Sequence, residues 1–370
     1  MDVLTNSPDI GYAPDISARN ILDRLGITDY LNRPGVTDVM INRPGEVFID
    51  KPGGVIREEN PDLDFKSLME LANVLAIFNQ KHISQAQPMH SVTLPDGERG
   101  HILIPPACEE QTVVYGFRKP SKDRFSLDDY IETDRLAGFR DMSETALEAL
   151  NVLEGLYSGR QYRDVADQLR LPHDVRLEDF ELDLLHYKAN RDVANFFRTA
   201  VQRKLNICMV GGTGSGKTTF SKAIADLIPH YVRIATLEDS HELDLPNHLN
   251  HVHLFIKEHV TAQALIASCM RIKPDRIFLT ELRGGEAWDY LTALNTGHPG
   301  GLTSVHANDS RSVFHRIADL AKQSPVGAGM DYQYLLGNAK KTIDIVCFFN
   351  DTYMTELYYD PVQKRRTLVG

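Results

Sequence analysis

Gly211-Gly212-Thr213-Gly214-Ser215-Gly216-Lys217-Thr218 satisfies the spacing Gly-x4-Gly-Lys-Ser/Thr, and Thr219 completes the run "GGTGSGKTT". Apolar "NICMV" precedes it and "TTFSKAIADLI" follows with helical spacing, the strand–loop–helix context in which the pattern acquires meaning. Glycines there let consecutive N–H groups turn inward around an anion, and the helix adds its positive dipole end. Lys217 is expected to reach the β- and γ-phosphates of a nucleotide, and Thr218 to offer its hydroxyl to Mg²⁺. The plain alternative is a glycine-rich turn before an ordinary helix. The motif says nucleoside triphosphate and little more, since kinases, switches, helicases and motors all use it.

The chemistry must then come from residues at other strand ends. "RIFLTELRGGEAWDY" ends an apolar strand in Thr280 and Glu281; a carboxylate at the carboxyl end of a parallel strand faces the phosphate site and can orient or deprotonate an attacking water. The competing reading of Glu281 is an ion pair with Arg283 or Arg276. "IATLEDSHELDLP" places Glu238, Asp239 and Glu242 after another strand. Oxygen ligands suit Mg²⁺, and Glu238 is the first choice among them, with turn forming or capping as the alternative for each. "NTGHPGGLTSVHAND" carries His298 and His306 around a glycine-flanked strand, where an imidazole can hydrogen-bond a γ-phosphate; each can equally be an ordinary core or surface histidine. His251 and His253 in "NHLNHVHLF" alternate onto one strand face, but zinc binding needs a third, well-placed ligand.

These residues need a scaffold, and the chain has length for two domains, with 42% hydrophobic and 25% charged residues in 370. Residues 1–121 mix short elements: helical spacing in "ARNILDRLG" and "FKSLMELANVLAIFNQ", and strands around turns at Arg43-Pro44-Gly45 and Pro95-Asp96-Gly97. This predicts a small α+β domain. Residues 122–191 are charged and helix-forming and are expected to be a helical linker. From 192 to 370, "NICMV", "YVRIATLE", "HVHLFI", "RIFLTE" and "GGLTSVHA" alternate with helical stretches, which predicts a parallel-rich α/β sheet wrapped by helices.

No window approaches the roughly eighteen apolar residues of a membrane span, and the first twenty residues lack a basic start with an apolar core, so a cytoplasmic location is expected. Cys108, Cys208, Cys269 and Cys347 stand singly and suggest neither a zinc cage nor a disulfide framework. A formal charge of −11 argues against broad electrostatic attachment to nucleic acid.

In this order "GGTGSGKTT", "TLEDSHEL", "RIKPDRIFLTELRGGEA" and "TGHPGGLTSVHAN", with "PDGERGHILIPP" and "YGFRKPS" upstream, the chain resembles the secretion traffic ATPases of type IV secretion, type II secretion and type IV pilus motors. Coverage runs from about Val36 to the C-terminus. "NRPGEVFID", "RGGEAWDY" and "NHVHLF" look most like the VirB-type branch of type IV secretion and conjugation, and the paired cysteines of type II secretion ATPases are absent.

The resemblance implies an N-terminal α+β domain and a RecA-like P-loop ATPase domain, assembled as a homohexameric ring with ATP between the domains. It assigns Lys217 and Thr218 to phosphate and Mg²⁺, Glu281 to the water, Glu238 to the metal, and His306 with His298 to the γ-phosphate. Arg99 and Arg118 match arginines that the family directs toward the nucleotide, though both would also be unremarkable on a sheet surface. Other secretion components at the inner membrane are the implied partners, reached peripherally through protein contacts. Two positions depart from the pattern: Thr280 stands where a small residue is usual and Ser304 where threonine is frequent. A RecA-like helicase gripping nucleic acid through a basic or aromatic pore is the first rival; no dense Lys/Arg run supports it, and no sequence-specific nucleic-acid binding is expected. A nucleotide-bound scaffold with little turnover is the second.

Overall fold

A computed structural model describes residues 14–119, 124–145, 175–257 and 259–369. The chain divides into two compact units, Met1–Lys122 and Asp123–Gly370.

In the first unit, α1 (Pro14–Arg24), α2 (Ile27–Asn32) and α3 (Phe65–Phe78) share a core with one antiparallel sheet of β1 (Asp38–Ile41), β2 (Glu46–Lys51), β3 (Gly54–Glu59), β4 (Met89–Thr93), β5 (Arg99–Leu103) and β6 (Val114–Arg118). The order is β3-β2-β1-β6-β5-β4. Helix α3 starts where the Asp64 carboxylate accepts the Ser67 N–H at 2.7 Å; of the stripe its spacing predicts it buries Leu68, Leu71 and Leu75, with Phe78 half-buried. Alternation does the same for the strands: Val39, Ile41, Tyr115 and Phe117 point into the core, and the Tyr115 hydroxyl donates to the Leu68 carbonyl at 2.5 Å. The turns at Gly45 (φ 84°) and Gly97 (φ 95°) join β1 to β2 and β4 to β5, as the sequence suggests.

The second unit holds an eight-stranded sheet ordered β10-β9-β11-β12-β8-β13-β14-β7, where β7 is Arg140–Asp141 and β8 Ile207–Gly211. The others are β9 (Ile234–Glu238), β10 (His251–Phe255), β11 (Arg276–Leu279), β12 (Leu302–Val305), β13 (Ile345–Asn350) and β14 (Tyr353–Tyr359). Every pair from β10 to β13 is parallel, and β14 runs antiparallel to β13. Strands buried on both faces read as unbroken apolar runs, as in "ICMV" and "IFL", and two apolar clusters occupy the two faces.

The expected linker, residues 122–191, is instead part of this unit wherever it is described. Helix α4 (Leu127–Glu132) buries Tyr130 edge-on to Phe220, β7 extends the sheet alongside β14, and α5 (Asp179–Ala189) packs with α6 (Val193–Gln202) on the same core. The charges misled because several are used inward. Lys188 has a fully buried side chain and donates to Asp141 Oδ1 at 3.0 Å and to the Tyr359 carbonyl at 2.9 Å, so a helix-forming, charged sequence covers a core. The middle of that stretch, residues 146–174, lies outside the described residues.

Lys188→Ala removes the ammonium from this buried pair and is expected to lower stability by roughly 3 kcal/mol, read as a lower urea midpoint by circular dichroism; Lys188→Met, which refills the volume, loses less. An unchanged midpoint for alanine means that the pair does not hold residues 141 and 188 together.

Candidate active site

β8 delivers the glycine-rich loop at its carboxyl end. Gly211 (φ 147°), Gly214 (φ 75°) and Gly216 (φ 89°) occupy backbone conformations closed to L side chains, and a Cβ at Gly211 would collide with the Phe349 carbonyl oxygen. Gly212 and Thr213 are exposed, whereas Ser215 is buried and donates to the Gly212 carbonyl at 2.9 Å. Helix α7 (Lys217–Asp226) begins directly at the loop, with Lys217, Thr218 and Thr219 in its first turn. Phe220, one position further, is clamped by Phe197, Phe349 and Tyr130, so the helix start is held by an aromatic cluster beneath it.

Lys217 Nζ donates to the carbonyls of Gly211 at 2.9 Å and Gly212 at 2.6 Å. Partial burial pulls its pKa below the ordinary lysine value, and the negative charges of Glu281 and Glu242 pull the other way, which places both carboxylates in its field. A triphosphate would replace loop carbonyls with stronger anionic acceptors for the same ammonium.

β9 ends at Glu238, but its carboxylate does not face Thr218. Glu238 is fully buried: Oε1 accepts the Thr236 hydroxyl at 2.7 Å, and Oε2 accepts the N–H groups of Glu242 and Leu243, each at 2.8 Å. It shapes the turn after the strand. That turn brings Glu242 back toward the loop, where the Thr218 hydroxyl donates to Glu242 Oε2 at 3.3 Å. The expected Mg²⁺ role of Glu238 beside Thr218 is therefore corrected by geometry: its Oε2 is held by the N–H groups of the turn, its Oε1 lies on the Thr236 side, and Glu242 supplies the oxygen beside Thr218. Neighbouring ligands of octahedral Mg²⁺ lie about 3 Å apart, so Thr218 Oγ1 and Glu242 Oε2 fit one such ion. Nothing in the sequence separates these two glutamates, because both lie about the end of the same strand and only the path of the turn distinguishes them.

Glu281, directly after β11 and Thr280, lies with Oε1 at 3.4 Å from His306 Nε2 and Oε2 at 2.9 Å from an Arg283 Nη. Arg283 also pairs with Asp239 and so joins the ends of β9 and β11. Burial raises the Glu281 pKa, but Arg283, His306 and Lys217 together outweigh it and hold the carboxyl below its usual range. The ion pair with Arg283 thus exists and leaves the second oxygen toward His306. Arg276, the other partner considered, is buried at the far edge and donates to the Val201 carbonyl at 2.6 Å.

His306 and His298 bracket β12 at opposite ends. Because β12 runs parallel to β8, with Leu302 opposite Ile207 and Val305 opposite Val210, His306 emerges beside the loop. His298 precedes the strand, and its Nδ1 lies 2.8 Å from the Pro274 carbonyl just ahead of β11. The expectation that His298 meets the γ-phosphate is corrected: a strand of this length, about 10 Å, separates it from the phosphate edge. The two departures from the family pattern touch each other, since the Ser304 hydroxyl donates to the Thr280 carbonyl at 2.7 Å and so ties β12 to β11. Both line a cleft with Lys217, Thr218, Leu243 and Thr303.

In the first unit, Arg99 and Arg118 stand directly opposite one another on β5 and β6, on the sheet face away from the core. Like charges so placed repel, and Asp38, next in the same row, accepts from Arg118 Nε at 2.7 Å.

Residues 169–345 match a family described as Type II/IV secretion system protein. The type IV secretion system protein VirB11 of Brucella suis biovar 1 is 36% identical over 351 residues, covering 91% of this chain and 89% of that protein. PtlH, a type IV secretion system protein of Bordetella pertussis, is 33% identical over 341 residues, with 90% and 91% covered. Among solved structures, the Brucella suis VirB11 ATPase in complex with sulphate is similar with a TM-score of 0.50 at 36% identity, covering 95% of this chain and 99% of that one. The pilus retraction motor PilT with bound ADP shares the fold at 16% identity, TM-score 0.51, with 91% and 81% covered.

Proposed function

The chain belongs to the type II/IV secretion ATPase family, with VirB11 proteins among its relatives, and from that premise we propose that it is a Mg²⁺-dependent homohexameric motor that powers type IV secretion. The observation that carries this reading is the convergence of Lys217, Thr218, Glu242, Glu281 and His306 at the carboxyl edge of one parallel sheet.

ATP is the substrate. Loop N–H groups from 211 to 216 and Lys217 hold its phosphates, with Thr219 beside them in the first turn of α7. Thr218 and Glu242 would hold Mg²⁺, which would supply charge neutralisation for the phosphates. Glu281 orients the attacking water and accepts its proton through Oε1, while Arg283 fixes the carboxylate from the other side. His306, within reach of Glu281, senses the γ-phosphate. By the family resemblance Arg99 and Arg118 are assigned to the nucleotide as well. Among the described residues no helix is long and apolar enough to cross a membrane, and docking to other secretion components at the cytoplasmic face of the inner membrane goes through protein contacts.

Steady phosphate release by the purified chain, titrated with Mg²⁺ with and without single-stranded DNA, tests this. Turnover is expected without DNA, and Glu242→Gln is expected to raise the Mg²⁺ requirement about tenfold or more. Salt-sensitive stimulation by DNA would favour the helicase reading. Binding without turnover would favour a scaffold.

A further inference from the structure

Of the histidine pair that lacked a third ligand in the sequence, His253 acquires two companions in the fold. His253 on β10 lies opposite Thr236 on β9, which puts its ring on the same sheet face as Glu238. The turn after β9 brings His241 over the same spot, and the two imidazole centroids are 4.3 Å apart. His253 Nδ1 is 3.3 Å and His241 Nδ1 3.7 Å from Glu238 Oε1, and one ligand atom from each of the three residues lies within 4.8 Å of the others.

We propose that Glu238, His241 and His253 bind a transition-metal dication of the zinc class, at a site separate from the Thr218–Glu242 pair. Two imidazoles and a carboxylate are the donors of an open zinc site, and tetrahedral coordination separates neighbouring N and O ligands by about 3.3 Å. The spacings around Glu238 Oε1 already approach that value. The gradient of exposure suits a site with one open position: the Glu238 side chain is fully buried, that of His253 17% exposed and that of His241 49% exposed. Water can take the remaining corner from the His241 side.

Supporting contacts are built in. The Thr236 hydroxyl donates to Glu238 Oε1, and two backbone N–H groups fix Oε2, so the ligating oxygen is oriented in advance. His253 Nδ1 also lies 2.7 Å from the Thr236 hydroxyl, and since that hydroxyl gives its proton to Glu238, the ring nitrogen is the donor without metal. A cation takes the place of that ring proton and leaves the Thr236–Glu238 bond intact. His251 shares the strand face but turns its Nδ1 to the His248 carbonyl, so it is a matched control. Of the cysteines, Cys208, Cys269 and Cys347 are buried and offer no competing surface site. A metal here cross-links β10 to the turn that carries Glu242 to Thr218, which ties occupancy to the presentation of Glu242.

The test uses the purified full chain, stripped with chelator and titrated with Co²⁺ and with Zn²⁺ in excess Mg²⁺, which saturates the other site. One equivalent of Co²⁺ is expected to bind with the intense visible absorption of a tetrahedral ion, and Zn²⁺ should displace it. His241→Gln and His253→Gln should each weaken binding at least about 100-fold, while His251→Gln leaves it unchanged and circular dichroism reports that all three fold. Absence of a stoichiometric site, or binding that survives in both the 241 and 253 variants, overturns the proposal. Bound metal is the readout, so the result is independent of ATP turnover.

Discussion

Alanine at position 217 is expected to cut steady-state ATP turnover by roughly 100- to 1,000-fold, the usual cost of removing one preorganised charge donor, and to weaken nucleotide binding as well. The reason lies in what surrounds the ammonium. Lys217 is a cation in the field of both Glu281 and Glu242, and its Nζ is poised on the Gly211 and Gly212 carbonyls at the mouth of the loop. Without it, two carboxylates and two carbonyl oxygens confront an incoming triphosphate, so ground-state binding suffers alongside the reaction step. Lys217→Arg should not restore activity, because a planar five-donor guanidinium does not match a compact ammonium placed between two carbonyls. Phosphate release and titration with a fluorescent nucleotide read the two effects separately. Turnover of the alanine variant within threefold of the parent would remove Lys217 from the phosphate site.

The sequence revealed this part of the site because its determinants are local: three positive-φ glycines, a lysine and a threonine within one strand–loop–helix. The position of Glu281 is equally legible, since a short apolar run followed by a carboxylate on a parallel sheet places it at the carboxyl edge. Spacing alone does not order the histidine box, for a directional reason. His298 and His306 are close in sequence, but the strand between them carries the chain from one edge of the sheet to the other. Glu238 and Glu242 are indistinguishable in the sequence because a turn, unlike a strand, has no periodicity to show which carboxylate returns to the loop. The described residues between 124 and 191 are placed by long-range contacts. Arg140 meets Glu356 of β14, and Lys188 meets Asp141, contacts that no local pattern of charge announces. The same long range conceals the Glu238–His241–His253 cluster, where His253 arrives from a neighbouring strand.

Glu281→Gln separates binding from chemistry most sharply. The amide keeps the shape of the side chain and can still accept from Arg283 through its carbonyl, so Arg283 and its pair with Asp239 stay in place. It loses the basic oxygen that faces His306. Hydrolysis is expected to fall by roughly 100- to 10,000-fold, the range for a positioned general base. Nucleotide binding should hold or tighten slightly, because one negative charge near Lys217 has gone. The pH dependence follows from the same contacts. Burial raises the carboxyl pKa, but Arg283, His306 and Lys217 lower it further, so the working carboxylate persists below the ordinary glutamate value of about 4.3. With the folded pKa depressed, its contribution to stability is complete above the unfolded value and fades as pH falls through the folded one. The acid limb of turnover assigned to Glu281 should therefore lie below the ordinary glutamate range and be missing from the residual activity of the glutamine variant. Single-turnover hydrolysis beside equilibrium binding decides the matter: normal hydrolysis by Glu281→Gln would transfer the water-orienting role to another carboxylate at this edge, with Glu242 the nearest to Thr218.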